Sequence, residues 1–239
     1  MKHIAKGNEP VELAQRRGEI KGLLKLKGDW YQALGSKVDP DGPESPSVVE
    51  VVKRQCISEQ KHLCAYTMMR IEMETSHLEH MFPQSQCSME ESIDYKNIVA
   101  CFPHSDNPQF GAMKKADWPA KDQRHLFVKP TDANCESRFA FMKDGKIEPA
   151  QQDDEAALET IARINLNHPT LKKHRADEFK SLFKLDKLEA LLNRKRQLTE
   201  QRNGKLEEYI TGKLTITSER IDALKRRRKF ARQQSRNNQ

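Results

Sequence analysis

The sequence predicts a mainly α, α+β protein in which helical regions flank one small strand–strand–helix module. Three observations carry this. Apolar residues recur at helical spacing before the centre (Leu13, Ile20, Leu23, Leu24, Leu26) and after it (Ala156, Leu158, Ile161, Ile164). The middle of the chain is instead broken into short apolar runs, such as Ile98-Val99-Ala100 and Phe139-Ala140-Phe141, separated by turn residues. Charged residues fill 32% of the 239 positions, which limits the core, and no run approaches the ~18 apolar residues of a membrane span.

Residues 1–60 form the N-terminal helical region. A helix is predicted over 9–35, opened by Pro10, and a loop over 36–47 is marked by Pro40, Gly42, Pro43 and Pro46. Ser47 is placed to cap a second helix, which runs through Val48, Val49, Val51 and Val52 to about His62. Residues 61–150 hold the strand–strand–helix module, roughly 61–118, followed by short strands over 125–148. There Asp144-Gly145 is a hairpin turn between Phe139–Phe141 and Lys146-Ile147. Residues 151–239 form a C-terminal helical region with a basic tail. In it Pro169 interrupts, an amphipathic helix is predicted over 170–202, and a last helix covers about 203–230. The apolar face of 170–192 packs either on the core or on a partner, and the segment 1–26 is a second candidate dock.

The net charge of +7 lies in the last fifteen residues. Lys225, Arg226, Arg227, Arg228, Lys229, Arg232 and Arg236 stand there without an acid, so the rest of the chain balances to zero. Such a tail reads as a solvated, partly disordered end, and equally as a contact to phosphate backbones that is blind to sequence. Five cysteines in irregular spacing, with no signal-like apolar stretch near Met1, point to the reducing cytoplasm. No Gly-x-x-x-x-Gly-Lys-Ser/Thr loop occurs, so the chain lacks the phosphate cradle needed to hydrolyse ATP.

The densest chemistry is His77-Leu-Glu-His-Met-Phe-Pro-Gln-Ser85, followed by Asp94-Tyr-Lys-Asn97 and the apolar run 98–100. A carboxylate directly before a histidine, an extended segment, then an asparagine at hairpin distance is the residue order of an HNH nuclease site. In such a site the carboxylate binds one divalent ion and the histidine takes a proton from the attacking water. A bare Glu-His pair carries little. Pro83-Gln-Ser, Asn97 and the Lys114-Lys115 helix start turn it into an ordered constellation. Cys64 and Cys101 occupy half of a possible four-cysteine zinc site, but Thr67 and Phe110 stand at the partner positions. No structural zinc is therefore expected, and the two cysteines read as core residues.

Several motifs together resemble one family. These are Cys64-Ala-Tyr, Glu79-His80-x-x-Pro-Gln-Ser, Asp94-Tyr-x-Asn97, Gly111-x-x-Lys-Lys and the opening Lys2 to Pro10. Phe127 to Phe139 and Ile164-Asn-Leu-Asn-His-Pro169 complete the set. They are similar to the HNH proteins of bacterial anti-phage operons: the PtuB family of Septu systems and retron-associated HNH proteins. The resemblance covers about residues 1–175. It implies helices around a ββα-metal module, a role in antiviral defence, and a PtuA-like partner ATPase of the ABC/SMC type. In some members a retron reverse transcriptase and its RNA–DNA hybrid join the complex.

By the same resemblance His80 is the general base, Glu79 the metal-binding carboxylate and Asn97 the central asparagine, with His77 supporting the ion or its water. Gln109-Phe110-Gly111 stands where relatives often carry His-Cys-Gly. The remaining ligand then comes from His104, Asp106 or Asn107, and the spacing from Asn97 favours Asp106 and Asn107. Lys114, Lys115, Arg226, Arg227 and Arg228 are expected to grip phosphates of a DNA or RNA substrate. Oxygen and nitrogen ligands suit Mg²⁺ (or Mn²⁺). A second reading of the same residues is a catalytically inactive nucleic-acid-binding or scaffolding subunit of that complex.

Overall fold

The structure, a computed structural model, describes residues 1–20, 34–102, 109–200 and 206–237, with side chains to residue 234. It is mainly helical with two small antiparallel sheets, the α+β architecture expected. Helix α1 (Val11–Ile20) buries Leu13 and Ile20. The rest of the helix predicted over 9–35, including Leu23, Leu24 and Leu26, lies outside the described residues.

Helix α2 (Val48–Glu59) begins at Ser47 with a full capping box. The Ser47 side chain accepts from Glu50 N, and the Glu50 side chain accepts from Ser47 N. Its buried stripe is Val48, Val52, Cys56 and Ile57. Past its end, buried Gln60 donates through Nε2 to Ala100 O (2.8 Å) and accepts through Oε1 from Ala100 N (2.7 Å). This one side chain locks α2 to the strand that carries Ala100.

Strands β1 (His77–His80) and β2 (Ile98–Cys101) pair antiparallel, with Glu79 opposite Val99 and His80 opposite Ile98. All four residues of β2 are fully buried, as the continuous apolar run implies. Between the strands sits the single-turn helix α3 (Met89–Ser92), and after them another, α4 (Ala112–Lys115). The strands expected over 125–148 shrink to β3 (Phe139–Phe141) and β4 (Ile147–Pro149). The preceding stretch forms 3-10 turns at Lys121–Leu126 and Cys135–Arg138.

Helix α5 (Glu155–Arg163) is capped by the Asp154 side chain, and Pro169 opens rather than interrupts α6 (Pro169–Phe183). The single helix predicted over 170–202 is two: α6 ends at Phe183 and α7 spans Leu188–Glu200. The break is fixed from outside, because Arg220 Nη2 donates to the carbonyls of Phe183 and Leu185. Helix α8 (Ile210–Asn237) packs on α7 and continues as helix through the basic stretch expected to be a partly disordered tail.

Residues of all three regions feed one hydrophobic core, among them Leu13, Val52, Ile98, Phe139, Ile164, Phe179 and Ile216. Most of the 170–192 face packs on this core, while Leu192 is exposed. Leu171, Phe179, Leu182 and Leu191 are buried within the chain itself, with Phe179 edge-on to Phe141 and Tyr209. Met1, Ile4, Leu13 and Ile20 of the other candidate dock are buried too. Among the described residues no helix is long and apolar enough to cross a membrane.

Candidate active site

Alternation along β1 sends Glu79 and His77 to one face of the ribbon and His80 to the other. The hairpin does not turn tightly but is bridged by residues 81–97, and Asn97 holds that loop closed. Its Oδ1 accepts from Phe82 N (2.8 Å), and its Nδ2 donates to Phe82 O (3.0 Å) and Glu91 O (3.3 Å). Ser88 and Glu91 form a second capping box, which shapes α3 and delivers the Ser92 carbonyl to His80 Nε2 at 2.7 Å. Arg124 braces the same loop. It binds the Glu91 carboxylate and Gln86 O, each at 2.9 Å, and lies 4.3 Å over the Phe82 ring. The described bonds of Asn97 thus act on His80 through the loop rather than on its ring.

A carbonyl can only accept, so His80 Nε2 carries the hydrogen and the lone pair of the neutral ring is on Nδ1. Burial lowers the His80 pKa below its ordinary 6.5, against the pull of the Ser92 bond, and the nearby Lys115 charge adds to the lowering. The ring is therefore neutral at physiological pH, which a proton acceptor requires.

Glu79 meets a different environment. Lys115 Nζ lies 2.9 Å from its Oε1, and the Tyr66 hydroxyl donates to the same oxygen at 3.5 Å. Burial pushes the Glu79 carboxyl up to about 7, with Lys115 drawing it back down. Lys115 also donates to Trp118 O (2.8 Å) and Ala116 O (3.5 Å), so three acceptors surround its ammonium. Its side chain is 1% exposed. This corrects the expectation that Lys115 grips phosphate: it is an internal cation, while Lys114 is exposed.

Asp106, Asn107 and His104 fall in 103–108, outside the described residues. Arg226, Arg227 and Arg228 are exposed on α8. For a divalent ion, the hairpin offers the Glu79 carboxylate with His77 on the same face of β1, donors of the type Mg²⁺ or Mn²⁺ accepts. Both described contacts of Glu79 fall on Oε1, so its Oε2 is the oxygen that suits an ion. Cys64 and Cys101 are buried free thiols, with Cys64 Sγ accepting from Phe102 N. Among the described residues the three-donor cluster is His174, Glu178 and Glu208, each already engaged, with Tyr209, Lys213 and Arg70 respectively.

Sequence reasoning missed Lys115 as an ion-pair partner, quoted Tyr66 only within the Cys64-Ala-Tyr motif without a role, and missed Ser92 and Arg124 altogether. The Lys114-Lys115 doublet gave no sign of which lysine turns inward. Arg124 is separated by 33 residues in sequence from Glu91, its partner in the loop it braces, and carries no local pattern.

A strand bearing Glu-His, an asparagine at the foot of its antiparallel partner and a one-turn helix beyond follow the order expected of an HNH-type site. No protein-family model matches the chain. Over 207 residues it is 26% identical to "Retron Vc95 putative HNH endonuclease" of Vibrio cholerae serotype O1 biovar El Tor, covering 83% of this chain and 95% of that protein. The similarity supports an HNH endonuclease family.

Proposed function

We propose that the chain is a metal-dependent HNH endonuclease that hydrolyses phosphodiester bonds. The observation that carries this reading is His80: a buried, neutral imidazole whose tautomer is set by Ser92 O, adjacent in sequence to Glu79 on the same short strand. His80 Nδ1 takes the proton from the attacking water. Asn97 and Arg124 hold the loop that orients the ring. Glu79, with His77 and a donor from Asp106 or Asn107, would hold Mg²⁺ or Mn²⁺, which neutralises charge growing on the phosphate when bound. Lys114 contacts the neighbouring backbone.

The V. cholerae relative's name places it with a retron. Together with the motifs shared with anti-phage HNH proteins, this supports a cytoplasmic defence role under a PtuA-like ATPase, with a reverse transcriptase and its RNA–DNA hybrid as further partners. The missing ATP-binding loop fits that division of labour.

Incubating purified protein with plasmid and with total RNA, in Mg²⁺, Mn²⁺ or EDTA, tests the assignment. Cleavage should need the metal and fall by roughly two to four decades in His80→Ala. Near-normal cutting by that variant overturns the assignment. One observation favours a second reading, an inactive nucleic-acid-binding or scaffolding subunit: Lys115 already neutralises Glu79 without a metal. That reading predicts no cleavage by the wild type in any metal, alone or with the ATPase.

A further inference from the structure

Helix α8 has two halves of opposite character. Its first half is built into the body: Ile210, Thr211, Lys213, Ile216, Thr217 and Ile221 are buried, and Arg220 ties it to the end of α6. From Lys225 to Gln234 every residue is exposed. The helix runs unbroken to Asn237 with no glycine after Gly212 and no proline, so the basic stretch extends the buried half as a stiff rod. At 1.5 Å per residue it reaches about 18 Å beyond Lys225.

The cations are arranged around this rod, not along one side. Lys225, Arg226, Arg227 and Arg228 are consecutive, each turned about 100° from the last, so together they circle the axis. Lys229 and Arg232 add to the Lys225 side, and the last acid before them is Asp222. A bilayer surface would require an apolar face opposite the charges, and Phe230 is the one large apolar side chain of the stretch. An acidic protein surface would meet one side of the rod and leave the rest of the ring unpaired. A channel with phosphates on both walls meets two opposite sides of it at once, and its floor of base-edge acceptors faces a third. The B-DNA major groove is about 12 Å wide and admits an α-helix. The major groove of duplex RNA is deep and narrow, and a single strand has no walls.

We infer that residues 225–234 of α8 form a duplex-DNA grip that enters the major groove, apart from the cutting hairpin. The inference deepens the nucleic-acid reading above by naming the polymer, but it does not depend on the chemistry of His80 or Glu79.

The test uses full-length His80→Ala protein in EDTA and measures fluorescence anisotropy with duplex DNA, duplex RNA and a single strand of matched sequence. A variant changing Lys225, Arg226, Arg227, Arg228, Lys229 and Arg232 to Gln keeps helix-forming residues at exposed positions, and circular dichroism checks its fold. Duplex DNA should bind roughly tenfold or more tighter than either other ligand. The glutamine variant should lose that preference and show a log–log salt slope shallower by about 3 to 5. Unchanged affinity and slope in the variant overturn the grip, as does equal binding of duplex RNA or a single strand through these residues. Binding of anionic phosphatidylserine vesicles in place of DNA overturns it too. Because no step requires cleavage, an inactive wild type sinks the nuclease reading and leaves the grip standing, while cutting that survives the six glutamines does the reverse.

Discussion

Lys115 Nζ stands 2.9 Å from Glu79 Oε1, with the lysine side chain 1% exposed and the carboxylate 16% exposed. This pair joins α4 to β1 across the module, with Tyr66 as its third member. Removing one partner of a buried ion pair strands the other charge. Lys115→Met should therefore cost about 3–5 kcal/mol of unfolding free energy in urea titrations without metal, run above pH 7 where the Glu79 carboxyl is ionised. The double variant Glu79→Gln/Lys115→Met should recover most of that. A cost below about 1 kcal/mol for Lys115→Met would mean that the pair does not form.

Glu79 also gives the fold a pH dependence of definite sign. The folded carboxyl holds its proton up to about 7, whereas an ordinary one releases it near 4.5. Folding therefore takes up a proton between these values. The stability Glu79 contributes is full below 4.5 and is lost as pH rises through about 7. Wild-type stability minus that of Glu79→Gln, measured in EDTA, should decline across this window and level off above it. A difference that grows with pH would contradict the burial of this carboxyl.

Asn97 is placed to act at a distance from the chemistry. Asn97→Ala leaves Phe82 N–H without its partner and Phe82 C=O with the Cys87 thiol alone, and should destabilise the protein by about 1–3 kcal/mol. It should also slow metal-dependent cutting at least roughly tenfold, since the loop presenting Ser92 to His80 loses its clasp. Asn97→Asp can still accept from Phe82 N but cannot donate, and should fall between alanine and wild type. Full activity in Asn97→Ala would leave the loop with no role in orienting His80.

What could be read from the chain followed how local the determinant is. The hairpin, Ser47 as a cap, and Asp144-Gly145 as a turn rest on neighbours in sequence and appear in the structure where the pattern put them. The break at residues 184–187 depends on Arg220, a residue of another helix, so no periodicity within 170–202 could show it. Lys114 and Lys115 differ only in which side of one helical turn they occupy, and tertiary packing sends one to Glu79 and leaves the other exposed. The basic tail read as a solvated, partly disordered end because it is a block of like charges without an acid. Its helicity is carried over from the buried first half of α8, whose anchoring to the core lies outside the charged window.

The turn between β3 and β4 is the last such contact, and it can be broken by one methyl group. Gly145 has φ +82°, a conformation that suits glycine, and its backbone presses directly on α6. A Cβ there would stand 2.0 Å from Lys172 O and 2.9 Å from Ala176 N, both backbone atoms of a helix that cannot yield locally. Gly145 O also accepts from Arg175 Nε (2.6 Å), and the same guanidinium donates to Leu166 O, so the fully buried Arg175 fixes the turn against α6. Gly145→Ala must therefore shift the hairpin off the helix and disturb Arg175, at a cost above about 3 kcal/mol. Gly18→Ala is the matched control: it lies within α1 with nothing inside 4 Å of its added Cβ. That change should stabilise by about 0.5–1 kcal/mol through helix propensity alone. Thermal melts of the two variants should move in opposite directions, and a Gly145→Ala protein as stable as wild type would refute the close seating of the turn on α6.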